Sequence, residues 1–308
     1  CSPDSASVTF KLNFQFYNPG PNYLTAGDAP LPHLLFAFFA FFLVAFVAWI
    51  VLMRKNLEQV HHIHHMMSVL LIFKCMTLLF ESIRLHYIKV TGHAETWSVV
   101  YFIFAFVKGV MLFVVILLIG TGWSLVKPYL NDREKRIIVV VLTLQVIDNI
   151  AMVILEETTP GTQRWLNWRD ILHLVDIVCC CAVLFPIVWS IKHLRQAAGT
   201  DGKAGAMLSK LSLFRGFYIM VVTYIYFTRI VIFLLAATLS FKLLWLRTLF
   251  TELATLIFFT YTGYKFRPQA QNPYLPVDKG DPNLEEFGLD ESEADDEVEM
   301  TVQTTSAV

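Results

Sequence analysis

The sequence predicts an all-α integral membrane protein: a seven-transmembrane helix bundle preceded by the last strand of an extramembrane β domain. Three observations carry this. The 308 residues are 56% hydrophobic and only 16% charged, with mean hydropathy +0.56, whereas a soluble domain carries roughly 25% charged residues. Seven apolar segments each approach the roughly 20 residues that cross a bilayer as a helix. Ahead of them, Val8 to Phe16 alternates strictly between apolar and polar residues, the period of a half-buried strand.

That strand has no partner before the first span, and a lone strand does not stay ordered. The chain also starts at Cys1, with no initiator Met and no signal peptide. The expectation is a processed chain or a fragment whose earlier β strands, and the disulfide partner of Cys1, lie outside it. Residues 1–32 then form the end of that domain and a linker, in which Asn18 to Pro32 is turn chemistry. Residues 33–267 form the bundle, with spans expected at 34–53, 66–88, 98–120, 137–155, 171–191, 217–240 and 243–264. Phe241 and Lys242 separate the last two only narrowly, so a single re-entrant arrangement is the alternative there. Residues 268–308 form a cytosolic tail expected to be disordered: ten Asp or Glu lie between Asp281 and Glu299, with no Lys or Arg among them.

Lys and Arg in the loops set the orientation. With the N-terminus outside, thirteen fall on the cytosolic side, among them Arg54, Lys55, Lys127, Arg133, Lys192, Lys265 and Arg267. Five fall opposite: Lys11, Lys89, Arg164, Arg169 and Lys242. The N-terminus is therefore expected to be lumenal or extracellular and the C-terminus cytosolic.

The second span, around Ser68 to Tyr87, carries Lys74, Glu81 and Arg84. Lys74 and Glu81 share a helix face two turns apart, and Glu81 and Arg84 are close enough to touch. A charge at bilayer depth costs roughly 2.5–3.5 kcal/mol on insertion scales, so it is turned inward and paired. Lys108, Asp148 with Asn149, Asp176, Arg229 and Glu252 place further polar groups in the third to seventh spans. Three readings stay open: interhelical ion pairs and hydrogen bonds that hold the bundle, a polar cavity for an ion, proton or small ligand, or charges that lie nearer the interface and snorkel to it.

Other features carry less. His61, His62, His64 and His65 stand just before the second span, and a helix could present His61 and His65 to one metal. No Glu sits between them as in a zinc protease, so interfacial or pH-sensitive polar roles are the competing reading. Cys179, Cys180 and Cys181 read as small packing residues, with palmitoylation open only near the cytosolic face. His173 and Asp176 could pair on one helix. Trp165 and Trp168 suit an interfacial aromatic belt, and Pro186 suggests a kink. No nucleophile set, metal signature, cofactor motif or nucleic-acid patch can be assembled, so an enzyme is the least favoured class. The tail residues Asp281, Glu285, Glu286, Asp295, Asp296 and Glu297 are either a solvated segment or a docking site for sorting adaptors.

Seven spans with an outside N-terminus invite comparison with rhodopsin-like receptors, yet no Asp-Arg-Tyr follows the third span. Asn272-Pro273-Tyr274 lies beyond the seventh in a polar segment. The resemblance lies elsewhere. FYNPGPNYLTAGDAPLPH entering the first span, the loop KPYLNDREKR, RWLNWRDILHLVDIVCC and the exit YKFRPQAQNPYLPV resemble the lung seven-transmembrane receptor family. These are the GOST proteins, to which Wntless is structurally related. The resemblance runs from about Val8 to Val277. It implies a lumenal Golgi-dynamics (GOLD) β-sandwich before the bundle, residence in the Golgi or trans-Golgi network, and a role in retrograde or clathrin-dependent transport. The partners it implies are membrane lipids, a lumenal cargo or glycoprotein ligand, and clathrin adaptors or coat proteins on the tail. An orphan G-protein-coupled-type receptor and an ion or proton pathway through the polar interior are the alternatives.

Overall fold

The structure is a computed structural model that describes residues 10, 18–20, 22–120, 136, 139–140, 142–144, 146–147, 150–151, 153, 171 and 216–268. All regular structure among them is helical. The predicted strand Val8 to Phe16 lies outside the described residues save Phe10, as do most of the fourth and fifth predicted spans and the whole acidic tail. What the described N-terminal stretch does show is a closed turn. Asn18 and Asn22 form an isolated antiparallel bridge, Gly20 takes a left-handed φ of 80°, and the Asn18 side-chain amide donates to the Leu24 carbonyl at 2.6 Å. Tyr23 N–H then donates to the Lys89 carbonyl at 3.1 Å, tying the linker to the end of the second span.

Helix α1 is Leu31–Lys55. Pro32 stands in its first turn, where a missing N–H breaks no intrahelical bond, and Arg54 and Lys55 close it against the negative end of the helix dipole. Helix α2, His62–Thr91, begins at a reciprocal capping box of His61 and His64 and ends at Gly92 with φ 82°. Gly92 is required there twice over: a side chain disfavours that φ, and a Cβ would approach the Tyr23 ring at 3.2 Å. Helix α3 is Glu95–Gly120.

The sixth predicted span is one helical segment, α4, over 216–238. Its middle, Phe227–Val231, is π-helical, and Ile232–Thr238 returns to α geometry. The wider turn is visible in the Ile232 N–H, which bonds the Phe227 carbonyl five residues back. The Thr228 hydroxyl donates to the Tyr224 carbonyl at 2.8 Å, so the bulge does not orphan that acceptor. Leu239 and Ser240 are extended, Phe241–Leu243 makes a single 3-10 turn, and α5 runs Trp245–Lys265. The last two predicted spans are thus separate helices joined by a tight turn.

α1, α2 and the start of α3 overrun their predicted spans by a few residues, because polar residues of the interface extend helices beyond the apolar run, whereas α4 ends two residues and α5 begins two residues inside theirs. The largest correction concerns the histidine cluster. His62 to His65 form the first turn of α2, ahead of the predicted start of the span. His61 caps α2 from an extended conformation (ψ 165°) rather than sharing a helical face with His65.

α2 packs against both α1 and α3, while α5 contacts α1 and α4. Residues 70, 71, 74, 77, 78 and 82 of α2 are buried, an inward face at helical spacing. One apolar cluster joins the start of α2, the end of α3, the start of α4 and the end of α5, through Ile63, Ile116, Ile119, Phe217 and Phe266. Another joins α1 and α2 through Leu35, Phe42, Trp49 and Leu78, with α5 residues against it. Lipid is as apolar as these side chains, so close packing and interhelical polar contacts hold the helices together. Ser82 Oγ donating to the Pro32 carbonyl at 2.8 Å and Trp49 Nε1 donating to Ser68 Oγ at 3.0 Å are two such contacts between α1 and α2.

Candidate functional site

A buried ion pair joins α2 to α5. Lys74 Nζ lies 2.6 Å from Glu252 Oε2, with side chains only 4% and 11% exposed. The Lys74 ammonium also stands 5.3 Å from the centre of the Phe42 ring on α1, so three helices meet at one cation. Glu252 sits one turn before Thr255, whose hydroxyl donates to the Thr251 carbonyl at 2.8 Å. That proton being committed, the 3.3 Å contact between Tyr224 and Thr255 has the tyrosine as donor. Tyr224 in turn stacks on Phe258 at 4.4 Å, bringing α4 into the same assembly.

Lys108 of α3 lies within electrostatic reach of Lys74, Glu252, Glu81 and Arg229. Lys108 thus senses four others of the nine polar residues singled out from the bundle, two cations and two carboxylates. Arg229 occupies the π-helical turn of α4, the local widening that often marks a specialised site. Arg84 points toward α3, its guanidinium 4.9 Å and 5.0 Å from the ring centres of Tyr101 and Phe102. Asp148, Asn149 and Asp176 fall outside the described residues. So do His173, Trp165, Trp168, Pro186, the three adjacent cysteines and the tail residues Asp281, Glu285, Glu286, Asp295, Asp296 and Glu297.

A second polar contact closes one end of the bundle. His64 is fully buried. Its Nδ1 accepts the His61 backbone N–H at 2.9 Å, so the neutral ring carries its proton on Nε2. That N–H donates to the Phe266 carbonyl, 2.9 Å away and 202 residues along the chain. One imidazole thus caps the start of α2 and satisfies a carbonyl left open just past the end of α5. Phe266 itself packs edge-on against Phe217 of α4 at 5.1 Å.

Sequence reasoning named Lys74 and Glu252 separately but not as partners, and it missed Tyr224, Thr255 and the role of His64. The available signal for His64 was its spacing: it lies three residues after His61, the separation of an N-cap and the residue whose side chain returns to it. Chemically, the central assembly can hold charge inside the membrane and couple four helices. Among the described residues it presents no nucleophile with an adjoining base.

A family model described as "GOST, seven transmembrane domain" matches residues 30–273, which covers every described helix. Among similar proteins is the Arabidopsis thaliana protein named candidate G-protein coupled receptor 6, 41% identical over 283 residues, or 90% of this chain. The chain spans 66% of that relative's length. Helices long and apolar enough to cross a membrane, joined through buried charge in the way membrane bundles are, agree with both findings. The chain is a multi-pass membrane protein that belongs to the GOST seven-transmembrane family.

Proposed function

We propose that this protein acts in membrane traffic at the Golgi or trans-Golgi network, in retrograde or clathrin-dependent transport of cargo. In this reading a lumenal GOLD-type domain before the bundle binds a cargo or glycoprotein, and the bundle anchors it. The acidic tail engages adaptors or coat proteins in the cytosol. The observation that carries the reading is the tail: ten carboxylates between Asp281 and Glu299 with no compensating cation, on the side to which positive-inside bias assigns the C-terminus. A carboxylate cluster of this density suits a basic adaptor pocket. The charged interior supports an anchoring role, since pairing Lys74 with Glu252 across α2 and α5 fixes the bundle rather than opening it. Removing Asp281 to Val308 should shift the steady-state distribution of the full-length protein away from the Golgi. An unchanged distribution would refute tail-directed sorting.

A second reading is a ligand receptor. The printed name of the Arabidopsis relative favours it, and the basic loops Lys127 to Arg136 and Lys192 to Arg215 would be its coupling surface. Ligand-dependent nucleotide exchange on a G protein in purified membranes is its test; exchange that ignores the receptor's presence rejects it.

A further inference from the structure

Between α1 and α5, near the end of the bundle where α1 stops and α2 begins, lies a cavity of about 290 Å³. Its wall is almost wholly apolar, and its exposure is graded. At the rim, Leu52 and Tyr264 are 40% and 62% exposed, whereas Ile116, Ile119 and Phe217 at the floor are at most 1% exposed. Ala45, Ala48 and Gly263 keep the gap open because none carries more than a methyl group. A Cβ on Gly263 would already touch the Trp49 ring at 3.7 Å. The one charged residue among the lining is Arg267, at the mouth, its guanidinium 4.5 Å from the Tyr264 ring centre. Arg54 and Lys55 are exposed on the turn that follows Leu52, and Lys265 is two residues from Arg267.

An apolar slot that deepens from a lateral rim, with cations at its membrane-surface end, has the polarity of a phospholipid lying in one leaflet. The volume is at the lower limit of ligand pockets, about 300 Å³, and suits one acyl chain rather than a whole lipid. A dry apolar cavity favours such an occupant over water, and basic residues at the surface favour an anionic headgroup. We propose that this cavity binds one acyl chain of an anionic glycerophospholipid, whose phosphate meets Arg267 at the rim. That the leaflet is the cytosolic one rests on the orientation proposed above; the binding itself does not.

The test uses full-length protein in detergent, titrated with phosphatidylserine or phosphatidylcholine brominated on the acyl chain. Bromine quenches tryptophan on contact, Trp49 lines the cavity, and the Trp49→Phe variant supplies the background from the other tryptophans. Saturable quenching is expected, with phosphatidylserine about fivefold tighter than phosphatidylcholine. Arg267→Gln should make the two lipids equal. Gly263→Leu should abolish the saturable phase, and Ala48→Leu serves as a second plug if that variant does not elute as a folded species. Quenching that rises linearly with lipid, is equal for both lipids in the unaltered protein, or survives both plugs would overturn the proposal. So would saturation by a brominated sterol in place of both phospholipids. The measurement is indifferent to the organelle in which the protein resides, so a failed trafficking reading leaves it standing.

Discussion

Helices α1 and α2 are neighbours of similar length with opposite relations to their surroundings. α1 has no Asp, Glu, Lys or Arg before Arg54, yet buries only six of its 25 residues. Phe36, Phe41, Val44, Val47 and Val51 all face outward. α2 carries Lys74, Glu81 and Arg84, yet buries ten of its 30 residues, Lys74 among them. In a water-soluble domain the more apolar helix would be the more central one. Here lipid accepts apolar surface at no cost, so polarity and not hydrophobicity selects what goes inside. The comparison also explains where specificity resides: α1 finds its place through a few anchors, Trp49 to Ser68 and Phe42 beneath Lys74, while α2 organises the helices on both sides.

The sharpest way to break this contrast is to remove one partner of the central pair. Glu252→Ala should destabilise the bundle by about 3–5 kcal/mol, because it strands the Lys74 ammonium away from water. The double variant Lys74→Met/Glu252→Met should recover most of that loss, since two apolar side chains need no partner. Thermal unfolding in detergent, followed by folded-protein yield, measures both. A double variant no better than the worse single would show that the pair is not a self-contained unit.

Next in size is the end lock. His64→Phe leaves the Phe266 carbonyl and the His61 N–H without their partner, a loss of about 1–3 kcal/mol. His65→Phe, on the exposed side of the same turn, should be nearly neutral. Equal melting temperatures for the two would remove the lock from the account.

A comparable penalty is expected at the opposite end of the bundle. A Cβ on Gly27 would collide with the Phe241 carbonyl in the turn between α4 and α5. Gly27→Ala should therefore cost about 1–3 kcal/mol by overpacking, and a melting temperature equal to that of the unaltered protein would show that this turn yields freely. Glu81→Ala sharpens the comparison between bundle and tail: it should impair folding or export, while Glu293→Ala should not. Matching expression of that pair would argue against a structural role for the inner charge. Smallest of all, Val47→Leu on the lipid face of α1 should change stability by less than about 0.5 kcal/mol, and a larger effect would mean that this face meets protein.

Much of the helical frame was legible in the sequence because the bilayer imposes a length on every apolar run. The ends were less legible: the first turn of α2 is built of histidines, and a capping box of two imidazoles is not a usual start signal. The inward turn of Lys74 follows from the cost of its charge in lipid, but its partner does not, since Glu81 on the same helix was as plausible from spacing as Glu252, 178 residues away. Pairing across helices depends on their rotation, which no local pattern encodes. The cavity beside Gly263 was illegible for the same reason, and the π-helical turn at Arg229 carries no mark in the apolar spacing.

The central functional claim is tested most directly by locating the full-length protein, tagged at its C-terminus and expressed at native level, with protease protection on the same cells. Golgi or trans-Golgi signal is expected, with the tag open to protease from the cytosol. A stable plasma-membrane signal would contradict the trafficking assignment and favour the receptor reading, and a protected tag would contradict the orientation on which the tail's role depends.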